Sequence, residues 1–393
     1  MIPRGLIWRI GLSQLIGWGV TYYAMGVFGE YMSAEFGWGR TLVYGGFSAA
    51  LVVMGLVSPL VGRCIDRWGG RMVMTVGSLL AALGCAGIAA SHGMPAYYAS
   101  WACLGLAMRA MLYDAAFAAL TRIGGAEARR PMAQITLLGG LASTCLWPLG
   151  HALAEALGWR GALLAYAGLA LATVPLHLTL PTGRAPAPDA PATGDASPLH
   201  APRHVHRLNS VLYALIIALA TGLSSAMSAH VIGLLQGLGL TVALAVSMAT
   251  LLGIGQSLAR LSVVLFRSRA HPVNLTLAAT MVLPVCFMVG LDTDTAPLAA
   301  VFVFTYGVGN GILSITRGTL PLVLFDLAGY GTLVGKLLVP SFFVCAASPL
   351  VFARVIEQYG ARGALTVALC AASIILAAAC ALKALSRRHA ARI

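Results

Sequence analysis

Long apolar runs alternate along the chain with short segments that hold nearly all of its charge. A helix that crosses a bilayer needs about 20 predominantly apolar residues. Twelve stretches meet that description: 6–29, 41–61, 72–91, 95–120, 132–154, 161–180, 208–235, 241–264, 272–291, 297–320, 332–353 and 363–384. The runs are too long for buried strands, and each is bounded by glycine, proline or charged residues. The pattern predicts an all-α membrane protein of twelve transmembrane helices, spans 1 to 12. The first run reads as a true span and not a cleavable leader. It is too long for a leader's apolar core and holds Trp18, Tyr22 and Tyr23.

Composition strengthens this picture. Of 393 residues, 59% are hydrophobic and only 9% are charged, far below the charge that a water-soluble surface carries. The many glycines and alanines suit helices that approach closely in lipid. Twenty of the 25 basic residues fall in the segments that share a side with the N-terminus, against Arg40, Arg160, Arg354 and Arg362 on the other side. That asymmetry predicts both termini on the cytoplasmic side. It also accounts for the net charge of +13 through anionic lipid headgroups, with no need of nucleic acid. The eight cysteines are scattered, with no zinc spacing and no cofactor motif. Arginine outnumbers lysine 23 to 2, which points to a GC-rich bacterial source and an inner-membrane location. The expected partners are a small solute, membrane lipid and a proton gradient, with the chain acting as a monomer.

The composition changes over PTGRAPAPDAPATGDASPLHAPRHVHR, residues 181–207. Its prolines and lack of bulky apolar side chains predict an extended, flexible cytoplasmic linker. His200, His204 and His206 lie in it as a solvated basic segment. The linker divides the chain into an N-terminal six-helix bundle, 1–180, and a C-terminal six-helix bundle with a short basic tail, 208–393. The two halves echo each other. GWRGAL at 158–163 recurs as GARGAL at 360–365, and WPL at 147–149 is matched by SPL at 348–350, as in a duplicated unit. Parallel repeats with a site between them near the midplane are one plan for a membrane carrier.

One polar stretch stands apart, GRCIDRWGGR at 62–71. It joins spans 2 and 3. Gly62, Asp66, Arg67, Gly69 and Arg71 resemble the loop 2–3 signature of the major facilitator superfamily, with Gly70 where a basic residue is common. Gly158-Trp159-Arg160 resembles the GWR that opens the sixth helix of that family. Residues 17–41 resemble its bacterial monocarboxylate-transporter-like branch. LYDAAFAAL at 112–120 and ITRGTLPLVLF at 315–325 resemble a branch that includes metalloid exporters. The resemblance implies a secondary transporter of two six-helix bundles, whose spans 1, 4, 7 and 10 line a cavity. It also implies that the 62–71 loop is a cytoplasmic gate. A purely topological role, anchoring at the headgroups, is the alternative.

Charge inside a span costs several kcal/mol, roughly 2.5–3.5 on insertion scales, so embedded polar residues border a bundle interior or a watery path. Arg109 and Asp114 lie in span 4. Arg109 suits a carboxylate because its planar fork bonds both oxygens. Asp114 is a candidate proton-titrating group. Each has a structural alternative in helix pairing. Continuous helix would set Tyr113 directly below Arg109. Gln14 and Tyr22 on span 1, and Tyr306 and Asn310 on span 10, complete the candidate solute-binding set. Tyr306, Asn310, Ser314 and Arg317 share one helical face, with Arg317 read as a cytoplasmic anchor. His230 on span 7 is a second proton candidate, or a hydrogen-bonded interface histidine. No nucleotide loop, triad or metalloprotease motif marks an enzyme. The reading favours a proton-coupled secondary transporter of a small organic anion such as a monocarboxylate. Efflux of a drug or trivalent metalloid, using Cys103, Cys145 and Cys345, is the alternative, and a non-transporting membrane sensor is a third.

Overall fold

The computed structural model describes residues 2–184, 203–266, 270–293, 295–327 and 329–390. All its regular structure is helical. Among the described residues, eight stretches are long and apolar enough to cross a membrane: Arg40–Trp68, Gly70–Ala90, Met94–Leu178, Val205–Gly237, Val242–Phe266, Pro272–Leu291, Ala296–Thr319 and Tyr330–Arg387. They relate simply to the twelve expected spans. Spans 4 to 6 fall within Met94–Leu178, and spans 11 and 12 within Tyr330–Arg387. Span 1 is broken into α1 (Arg4–Val20) and α2 (Ala24–Phe36), each too short alone.

The helices that follow are α3 (Arg40–Trp68), α4 (Gly70–Ala90), α5 (Met94–Met111), α6 (Tyr113–Gly124), α7 (Arg129–Gly139) and α8 (Ala142–Leu178). After the linker come α9 (Arg203–Gly237), α10 (Val242–Phe266), α11 (Pro272–Leu291), α12 (Ala296–Thr319), α13 (Pro321–Leu324), α14 (Tyr330–Leu337) and α15 (Val339–Ala390). Most of the expected linker, with His200, lies outside the described residues. Helix α9 begins at Arg203, within the segment read as linker. His206, assigned to the linker, is helical and its ring lies 5.2 Å from that of Phe325.

Within residues 4–178, α4 packs on α5 and α8, and α1 on α7 and α8. Within 203–390, α9 packs on α15, α10 on α12, and α11 on both α12 and α15. Across the seam, α3 lies against α14 and α15, and α7 against α10 and α12. The sequence echo has a structural counterpart. Gly158 and Gly360 interrupt α8 and α15 with φ of 70° and 69°. That left-handed region is open to glycine at little cost.

Candidate functional site

Asp66 sits near the end of α3, in the loop signature. Its carboxylate accepts hydrogen bonds from Gly331 N–H (3.0 Å), Thr332 N–H (2.6 Å) and the Thr332 hydroxyl (2.6 Å). These are among the free amides at the start of α14, so Asp66 caps a helix of the opposite bundle. Glycine makes the approach possible. A Cβ on Gly62 would overlap the Gly331 carbonyl. Arg122 donates to the Asp66 carbonyl oxygen, bracing the loop from α6. Gly69, with φ of 85°, turns α3 into α4. Arg71 donates to Leu180 O (2.6 Å) within its own bundle. Arg67 is exposed over Trp68 and takes no part in the cap.

Two turns deeper, Ser58 donates to Gly335 O (2.7 Å), again across the seam. Arg109 supports it, with Nε on Ser58 Oγ (2.8 Å) and Nη2 on Ser58 O (3.3 Å). Arg109 is 1% exposed. Its guanidinium is committed to the Ser58–Gly335 contact, while Nη1 has no partner among the described residues. The expected continuity of span 4 fails just beyond it. Leu112 is extended (φ −80°, ψ −167°), so α5 stops and α6 starts afresh. Tyr113 therefore belongs to a new helix, and the register that set it below Arg109 does not hold. Its hydroxyl donates to Thr136 O (3.1 Å). Gln14 donates to the Met111 carbonyl (2.8 Å) that the break frees.

Asp114 accepts from Arg317 Nε (2.9 Å) and Nη2 (2.8 Å), a two-pronged ion pair between α6 and α12. Both side chains are largely buried, and the Arg317 guanidinium also lies over the Phe342 ring. Arg317, expected as a surface anchor, is an inter-bundle partner of Asp114. Asn310 donates to Ser224 Oγ (3.0 Å). Tyr306 is buried with its hydroxyl unpartnered among the described residues. His230 Nε2 meets Pro349 O at 2.8 Å, a contact between α9 and α15 of one bundle. Tyr22 OH lies 3.9 Å from Cys345 Sγ across the seam.

One residue escaped the sequence reading. Arg260 was counted with the cytoplasmic charges, yet it lies in α10 and is 7% exposed. Its partners among the described residues are neutral: Ser314 Oγ (3.1 Å) and Gln256 Oε1 (3.3 Å). No ion pair of the described residues includes it. Its guanidinium reaches across to Gly140 of the other bundle, where any side chain would collide with it. The neighbouring Gly139 lies against the Tyr113 hydroxyl, which sets that tyrosine beside the guanidinium. The signal that marks it is an arginine inside an apolar window, the same one that marked Arg109. Arg109, Arg260 and the largely buried Arg317 thus lie at the seam, and of these only Arg317 has a carboxylate partner, Asp114, among the described residues.

Two helical bundles joined through a capped loop at one end, with an arginine held only by neutral groups between them, are the arrangement of a membrane carrier. The chain belongs to the Major Facilitator Superfamily, whose family model matches residues 10–335. Over 172 residues it is 33% identical to Monocarboxylate transporter 4 of Rattus norvegicus, a match covering 42% of this chain and 36% of that protein. The match therefore spans about a third of the curated relative's length. The fold is similar to the crystal structure of the human organic anion transporter MFSD10 (TETRAN), with a TM-score of 0.73 at 18% identity, covering 96% of this chain and 100% of that one. It is also similar to the proton:xylose symporter XylE, with a TM-score of 0.74 at 11% identity and 94% of each chain covered. Within this superfamily the chain is distantly related to monocarboxylate transporters.

Proposed function

We propose that this transporter carries a small organic anion, a monocarboxylate, by alternating access coupled to protons, in a bacterial inner membrane with both termini cytoplasmic. The observation that carries the substrate class is Arg260. A buried guanidinium with only neutral partners is costly unless a second anion joins it. A carboxylate placed there gains two parallel N–H donors. Its position at the seam gives it contact with both bundles, as the moving site of such a carrier requires. The human organic anion transporter of similar fold and the monocarboxylate transporters related in sequence support the same class.

In this reading Arg109, held by Ser58, belongs to the gate and not to the solute. Gly62, Asp66, Gly69 and Arg71 form that gate, closed on the cytoplasmic side. Asp114 is the coupling group. Arg317 holds it in a two-pronged ion pair across the seam, and parting of the bundles breaks that pair and opens the carboxylate to a proton. The metalloid alternative needs thiols brought together. Cys103 instead donates to Leu80 O, Cys145 is exposed and Cys345 sits beside Tyr22.

The test is uptake of labelled lactate into proteoliposomes with and without an inward-directed proton gradient. We expect gradient-stimulated uptake, and its loss in Arg260→Gln. Arg260→Lys should also fail, because a point charge cannot bond both oxygens. Uptake that survives in Arg260→Gln rejects this anchor.

A further inference from the structure

A group of aromatic rings lies in the opposite bundle beside Arg260, since side chains at the adjacent Gly139 and Gly140 would meet the Tyr113 hydroxyl and the Arg260 guanidinium. Trp18 lies 5.0 Å from Tyr22 and 4.9 Å from Tyr113, ring centre to ring centre. Tyr22 in turn lies 5.0 Å from Phe47 and 5.5 Å from Tyr23. The break between α1 and α2 creates this arrangement. Thr21 and Tyr23 leave the regular helix, and Tyr23 N–H reaches back to Trp18 O (3.0 Å). Three aromatic residues of one segment thereby point at a common space.

These rings differ from the core rings of the same bundle. Tyr97, Trp101, Tyr166 and Phe28 are fully buried, whereas Trp18, Tyr22, Tyr23, Phe47 and Tyr113 all keep part of their surface open. Nor is the wall turned to lipid. Tyr22 meets Cys345 of the other bundle, and the Tyr113 hydroxyl and the Arg260 guanidinium lie against the adjacent Gly139 and Gly140. The open ring faces therefore look into the seam, beside the cation. Trp18 adds a buried indole N–H with no partner among the described residues, a donor left for a polar atom of the solute.

We infer that the solute this site takes is a carboxylate with an aromatic body, its carboxylate on Arg260 and its ring against Trp18, Tyr22 and Phe47. This rests on the anion reading above and sharpens it. A two- or three-carbon acid has no face to lay on the rings and leaves the wall wet. An aryl acid dries it and adds offset or edge-on ring contacts.

The experiment compares acetate, cyclohexylacetate and phenylacetate, which share one carboxylate and differ only in body. Binding to the purified full chain is measured by calorimetry in detergent at neutral pH. Phenylacetate should bind at least about tenfold more tightly than acetate, as one or two aromatic contacts provide, and more tightly than cyclohexylacetate. Trp18→Leu and, independently, Phe47→Leu should narrow the phenylacetate-to-acetate ratio. Phenylacetate bound no better than acetate or cyclohexylacetate, with all three lost in Arg260→Gln, overturns the aromatic preference and leaves the anion reading standing. If none of the three acids binds, or binding ignores Arg260→Gln, both fall together.

Discussion

Replacing Asp66 by asparagine tests whether the α3–α14 contact latches the two bundles together at this end of the seam. The wild-type carboxylate accepts three hydrogen bonds, two from α14 backbone amides and one from the Thr332 hydroxyl. An asparagine keeps one acceptor oxygen but turns an NH2 towards donors. It retains at most the bond to Gly331 and loses both on Thr332. Hydrogen bonds to a charged group contribute about 1.5–3 kcal/mol each when buried. Asp66 is only partly buried, so about 1 kcal/mol per bond is the appropriate scale. Losing two bonds shifts the closed-to-open equilibrium by about 2 kcal/mol, or roughly 30-fold. Spin labels on Trp68 and Phe266, exposed residues at the ends of α3 and α10, read that shift in a background without native cysteines. The distance distribution should gain a long component in Asp66→Asn. A properly inserted variant with an unchanged distribution would refute the latch.

Two further outcomes follow from the ion pairs. Neutralising Asp114 alone leaves Arg317 buried and unpaired, a loss of about 3–5 kcal/mol. The double variant Asp114→Asn/Arg317→Gln should recover most of that in thermal unfolding, and additive losses would exclude direct coupling. At the opposite end, the Trp159 indole and the Arg160 guanidinium bond Glu35 and hold its carboxyl below the ordinary glutamate range. A lowered value stabilises the fold above the unfolded pKa of about 4.3 and loses that support as pH falls through the lowered one. The melting midpoint should therefore drop on acidification below about pH 4, and Glu35→Gln should remove that part of the drop.

Much of the scaffold was legible because lipid imposes a length and a polarity on every spanning segment. The positions of the long apolar runs, the change of composition after Leu180 and the glycine echo at 158 and 360 all follow from that constraint. The breaks at Thr21–Tyr23 and Leu112 were not legible. Neither holds a proline or glycine, and an apolar leucine in extended conformation leaves no mark on a hydropathy pattern. Partnerships across the seam were equally hidden. Asp114 and Arg317 are 203 positions apart, and no local spacing links them. Arg260 was visible as an embedded cation, but it was set aside with the basic residues that fix topology. Only the neutral character of its neighbours distinguishes it.

Two of the three donors that hold Asp66 are main-chain amides. No substitution at Thr332, short of proline, deletes its amide, and any side chain at Gly331 would collide with the Asp66 carboxylate and the Gly62 carbonyl. Genetic selection for carriers that regain transport after Asp66→Asn should therefore seldom return compensating changes at those two positions. Suppressors should instead map to contacts that weigh on the same equilibrium from elsewhere, such as the Ser58–Gly335 bond or the Asp114–Arg317 pair.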